Sequence, residues 1–102
     1  MEIIVLGHTY ELANFEEKEA AGQILQFIHK TPTAEGELRT LSDGTTNEEV
    51  IKVLIDRIGY LDELFPCEEN KAALSALSIA LQALEERAAN RLARGVKGKA
   101  VE

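Results

Sequence analysis

The chain has a single cysteine, Cys67, so an intrachain disulfide is impossible. No run of apolar residues approaches the length of a membrane span or a secretion signal. Together these absences point to a cytoplasmic setting. The sequence also has no phosphate-binding glycine loop, no paired-glycine dinucleotide fingerprint and no zinc-ligand spacing. His8, His29 and Cys67 are widely separated and form no nucleophile or metal pattern. The adjacent acids, such as Glu16-Glu17 and Glu48-Glu49, point different ways on an element and make no general acid/base couple. The expectation is a protein without catalytic residues, metal or cofactor.

Positive charge is scarce over most of the chain. The net charge is −7, but residues 1–70 carry five Lys/Arg against fifteen Asp/Glu, whereas residues 71–102 carry six against three. A nucleic-acid polymer needs a broad basic face, and most of this surface repels one. A small anion needs only a local pocket, which the C-terminal cluster can supply. At 102 residues with 45% hydrophobic and 28% charged residues, the expectation is one domain, 1–102, with a modest core.

The N-terminal part reads as strands. Glu2–Leu6 is a β-branched apolar run, and Tyr10, Leu12 and Phe15 alternate with polar residues after Gly7 and His8. Gln23–Lys30 gives a third strand, closed by Thr31-Pro32, and Glu37–Leu41 a fourth. Residues 1–42 are therefore expected to form a small antiparallel sheet. A helix over 45–65 follows, opened by a capping box at Thr46 and Glu49 or at Thr45 and Glu48. Ile51, Leu54, Ile58, Leu61 and Phe65 repeat along it at three and four, and Pro66 ends it. A second helix over 68–94 stops at Gly95, leaving a Gly/Lys tail over 95–102. The short connection forces the two helices antiparallel. The expected fold class is α+β, with the small sheet first and a helical hairpin after it.

On the second helix Leu74, Leu77, Leu81, Leu84 and Ala88 share one stripe, which continues to Asn70 at one end and Arg91 at the other. Arg87 and Arg94 lie four before and three after Arg91, on the same face. A charged position in a packing seam costs stability unless something satisfies it. A hairpin has one internal interface and its longer helix overshoots the shorter, so self-association through the helices is expected; the alternative is that the sheet covers the surplus within one chain. In an oligomer, copies of these arginines converge, and an anion held between them relieves their repulsion. A helix C-terminus favours basic residues through its dipole, which accounts for Arg94 and partly for Arg91 but not for Arg91's seam position.

The first helix has a second flank of Val53, Arg57, Tyr60 and Leu64, with Gly59 in the helix interior. An aromatic ring beside a guanidinium can stack a nucleobase and hold a phosphate. The plainer alternative makes Tyr60 a half-buried core residue and pairs Arg57 with an acid such as Glu63.

Thr45–Arg57 (TTNEEVIKVLIDR), Phe65–Asn70 (FPCEEN) and Arg87–Gly98 (RAANRLARGVKG) together resemble the phage-encoded Thoeris anti-defence sponge proteins of the first type, whose helical hairpin is shared with an anti-CBASS sponge family. The resemblance implies a non-enzymatic protein that sequesters nucleotide immune signals in the host cytoplasm. It further implies a glycocyclic ADP-ribose or cyclic dinucleotide site between protomers, using an aromatic on the first helix and an asparagine opening the second, here Tyr60 and Asn70. Arg39 is the candidate for a basic contribution from the sheet. A separate cyclic trinucleotide pocket uses two arginines four apart, here Arg87 and Arg91. Dimers building to a hexamer are implied as well. Two rival expectations stand beside it: a small phosphodiesterase acting on the same signals, and an assembly module without ligand.

Overall fold

The computed structural model describes residues 1–101 in two compact units, residues 1–46 and the helical remainder from Asn47. The first unit contains two small sheets. Strands β1 (Glu2–Val5), β2 (Thr9–Leu12) and β3 (Gln23–Gln26) form an antiparallel sheet in that order, and β4 (His29–Pro32) pairs antiparallel with β5 (Leu38–Ser42). The N-terminal antiparallel strands and C-terminal helices expected from the sequence are thus present.

The expected third strand, Gln23–Lys30, is divided. At its middle, Phe27 donates its N–H to the His8 carbonyl while Ile28 donates to the Thr45 carbonyl, so the chain changes neighbour between Phe27 and Ile28. Residues before this point pair with β2, and those after it pair with β5. Pro32 lies at the end of β4 rather than beyond it, opposite Leu38. A two-stranded ribbon leaves one side of each strand unpaired, which tolerates a residue without an N–H. Ring contacts join the parts of this unit: Tyr10 meets Phe27 edge-on at 5.9 Å, and the His8 and His29 imidazoles stack at 3.5 Å with 14° between their planes.

The second unit is a hairpin of α1 (Asn47–Leu64) and α2 (Glu68–Ala93). Thr46 immediately precedes α1, whereas Thr45 is engaged by Phe27 in an isolated bridge, so Thr46 takes the capping position. The seam of α2 follows the expected spacing: Asn70, Leu74, Leu77, Leu81, Leu84 and Arg91 are half-buried, although Ala88 is exposed. With 26 residues in α2 against 18 in α1, the longer helix exceeds the shorter by eight residues, about 12 Å. Ala88 falls in that surplus.

The inward stripe of α1 differs from the expected one. Ile51, Ile55, Ile58 and Leu61 are half-buried, whereas Leu54 is 42% and Phe65 77% exposed. Ile51, Ile55, Ile58 and the half-buried Asp62 centre the covered face on the Ile51–Ile55 side, and Leu54 falls toward its edge. Phe65 lies past the end of α1, outside the helical face.

The hairpin turn is closed by one carboxylate. Asp62 Oδ1 accepts the Cys67 backbone N–H at 3.1 Å, and its Oδ2 lies 3.2 Å from Lys71 Nζ. Cys67 in turn caps α2, its Sγ accepting the Asn70 backbone N–H at 3.4 Å. The Cys67 N–H, and after it the Lys71 ammonium and the Asn70 amide, hold the Asp62 carboxyl below its ordinary value of 3.8. None of the described residues is fully buried.

A carboxyl with a depressed folded-state pKa contributes stability at neutral pH and loses it as pH falls through the ordinary carboxylate range. Asp62→Asn retains an acceptor for the Cys67 N–H but loses the ion pair. Wild type is therefore expected to melt at a higher temperature than Asp62→Asn near neutrality, with the two curves converging as the pH falls below the ordinary carboxylate range; a constant difference in thermal melts down to strongly acid pH would contradict this.

Candidate functional site

The outer flank of α1 remains open. Glu49, Lys52, Val53, Asp56, Arg57 and Tyr60 line a groove of about 560 Å³, a volume within the range of small-molecule sites, roughly 300–1,000 Å³. Tyr60 is 58% exposed and Val53 65%, so the ring is not a core residue of this chain. Arg57 makes no ion pair among the described residues, and the proposed partnership with Glu63 is not formed. Lys52 is engaged by Glu49 at 3.5 Å. The flank thus offers an aromatic face and an unengaged guanidinium on one helix surface, where a planar ring and an anionic group can be taken together.

Gly59 adjoins this flank. A Cβ built there would meet nothing within 4 Å, so nothing in the chain itself requires a glycine at that position. Asn70 is half-buried in the first turn of α2. It lies two residues beyond the start of its helix, and Tyr60 lies four before the end of α1, so both belong to the hairpin's turn end. No bond joins their side chains among the described residues. Arg39 is exposed on β5, opposite Thr31, in the first unit.

At the other end of α2 the arginines are in unlike surroundings. Arg87 is exposed and has no partner among the described residues. Arg94 donates its Nε–H to Asn90 Oδ1 at 2.6 Å. Arg91 is half-buried and turned onto the segment that follows the helix: Nη2 donates to the carbonyls of Val96 at 3.1 Å and Lys99 at 2.9 Å, and Nη1 donates to the Val101 carbonyl. The helix end makes this possible. Gly95, at φ +70°, donates to the Leu92 carbonyl, and Val96 donates to the Arg91 carbonyl. This paired closure reverses the chain across the last turn. A Lys99 N–H to Val96 carbonyl bond at 2.9 Å and Gly98 at φ +80° complete a second turn.

Sequence reasoning placed a guanidinium problem at Arg91 but not its local answer, the carbonyls of residues 96, 99 and 101. The signal was the pair Gly95 and Gly98, three apart and just past a helix end. Elsewhere, Cys67 is exposed, and no group of three or more His, Cys, Asp or Glu suited to a metal ion occurs among the described residues. No helix among them is long and apolar enough to cross a membrane.

These features define a small α+β chain built on a helical hairpin, with an aromatic and basic flank along α1 and three arginines over the last turns and C-cap of α2. Over 58 residues, 56% of its length, the chain is 40% identical to Thoeris anti-defense 1 of Bacillus phage SBSphiJ7, a match that spans 41% of that phage protein. The resemblance to phage Thoeris anti-defence proteins read from the sequence is borne out by this identity. No protein-family model and no solved structure matches the chain.

Since Gly59 has open space where a Cβ would sit, Gly59→Ala is expected to stabilise the free protein by about 0.5–1 kcal/mol, measured from urea unfolding. A loss of stability instead would mean that something beyond a single chain seats against this Cα in solution.

Proposed function

We propose that the protein is a non-catalytic sponge that blocks bacterial Thoeris defence by binding and sequestering a cyclic nucleotide signal. The observation that carries this reading is the open groove on α1, in which Tyr60 and the unengaged Arg57 share a surface of small-molecule dimensions. The phage relative supports the biological setting, since its name is that of an anti-defence protein directed at Thoeris. In this reading glycocyclic ADP-ribose, or a related cyclic dinucleotide, lies between protomers, stacks on Tyr60 and is held by Asn70; Arg39 is the candidate for a further basic contribution. A cyclic trinucleotide is gripped by Arg87 and Arg91, which extends the role to CBASS signals. Neither site needs a base, a nucleophile or a metal, because sequestration requires affinity alone.

The protein acts in the host cytoplasm as a homo-oligomer, a dimer building to a hexamer. Two features support assembly. None of the described residues is fully buried, and Val53, Leu54, Leu64, Phe65, Ile79 and Leu92 of the helical unit are all exposed. Such apolar surface is costly to leave in water and marks interaction faces. Copies of Arg87 and Arg91 brought together by symmetry would give several charge-assisted bonds of about 1.5–3 kcal/mol each, enough together to approach the ~12 kcal/mol of nanomolar binding.

The same exposed surface also favours a second reading, an assembly module without ligand. Titration calorimetry with glycocyclic ADP-ribose and cyclic triadenylate separates the two, combined with the mass of the intact assembly. The expected result is tight binding by an oligomer and release of each ligand chemically unchanged on denaturation. Recovery of a cleaved nucleotide would identify a phosphodiesterase, and an oligomer that binds neither ligand would leave only the assembly role. Tyr60→Ala is expected to weaken glycocyclic ADP-ribose binding by roughly 5- to 100-fold, the loss of one stacked ring at about 1–3 kcal/mol. Tyr60→Phe is expected to retain it.

A further inference from the structure

The segment after α2 is arranged around Arg91 rather than trailing from the helix. A guanidinium has five N–H donors and no acceptor. Its two bidentate edges are the end-on pair Nη1/Nη2 and the side-on pair Nε/Nη2, and both include Nη2. In this structure both Nη2 hydrogens are directed to carbonyl oxygens, those of Val96 and Lys99, while Nη1 reaches the carbonyl of Val101. Neither fork is therefore open to a phosphate. Arg87, one turn earlier, is exposed and unengaged among the described residues, so the two arginines are not equally available.

We propose that residues 96–101 form a main-chain strap that competes with a phosphate-bearing ligand for Arg91, so that the ligand must displace the strap to obtain a bidentate grip. This rests on the anion-binding reading of Arg87 and Arg91 given above. The strap's bonds already have an ionised donor, but their acceptors are neutral carbonyls; a phosphate oxygen carries charge and adds a direct Coulomb attraction to the guanidinium. Displacement by phosphate is thus favourable, and the strap lowers the apparent affinity by the cost of opening it. The segment is hinged for this movement. Gly95 and Gly98 both adopt positive φ, and a Cβ on Gly98 would meet nothing within 4 Å. A side chain at Gly98 therefore disturbs only the backbone conformation that closes the strap, leaving Arg91 and α2 unchanged.

The test uses the full chain as wild type, Gly98→Val and Arg91→Ala, with cyclic triadenylate as the probe in calorimetry. Tryptic cleavage after Lys97 and Lys99 serves as a ligand-independent measure of strap opening. Gly98→Val is expected to bind the probe about fivefold more tightly, the effect of a side chain that opposes a left-handed residue, and to be cleaved faster. By reciprocity the probe is expected to accelerate cleavage of the wild type. Arg91→Ala is expected to be cleaved rapidly with or without probe. If Gly98→Val is cleaved faster yet binds as wild type does, competition is overturned while the sponge reading stands. A probe that slows cleavage makes the segment a lid over the ligand and also overturns the proposal, as does Arg91→Ala cleaved no faster than wild type. If no form binds the probe, the anion-binding reading falls and the competition falls with it.

Discussion

The helical unit depends on one apolar contact, the stripe of Ile51, Ile55, Ile58 and Leu61 on α1 against Leu74, Leu77, Leu81 and Leu84 on α2. Helix propensity alone would not hold an 18-residue helix in water, so this contact must supply the order. It is narrow, and even its members are only half-buried. The turn compensates by fixing the start of α2 twice, through the Asp62 carboxylate on the Cys67 N–H and through the Cys67 sulfur on the Asn70 N–H. Alignment of the two stripes is set there, within the Phe65-Pro66-Cys67 connection.

The same contact separates the two candidate surfaces. Since α1 spends one face on α2, its opposite flank carries Tyr60 and Arg57 outward. Since α2 outlasts α1, its final turns have no helix facing them, and this is where Arg87 and Arg91 occur. Inequality of helix length is thus what leaves the arginine end open, and the shortness of the turn is what brings Tyr60 and Asn70 to the opposite end. Both surfaces follow from the geometry of a hairpin with unequal arms.

Much of this was legible in the sequence where periodicity was clean. The seam of α2 follows from the regular spacing of its leucines, because every seam position from Asn70 to Leu84 falls on one stripe. In α1 two apolar choices, Leu54 and Ile55, were adjacent, and composition could not decide between them; the phase of the helix against its partner did. The strands were legible as β-branched and alternating runs, but the break at Phe27 and Ile28 was not, since it depends on Thr45, seventeen residues beyond Ile28, offering a carbonyl. Tyr60 and Arg57 were identified as a flank because they fall out of phase with the stripe. The fate of Arg91 was hidden because its partners are main-chain oxygens, which carry no residue code.

That last property has a consequence for how the protein can change. Val96, Lys99 and Val101 serve Arg91 through carbonyl oxygens that every amino acid possesses, so the clasp itself does not specify their side chains. Only the two glycines that bend the chain are constrained. A lineage under pressure to alter its surface can therefore change letters in this segment without losing the clasp, and the lettering reveals little of what the segment holds.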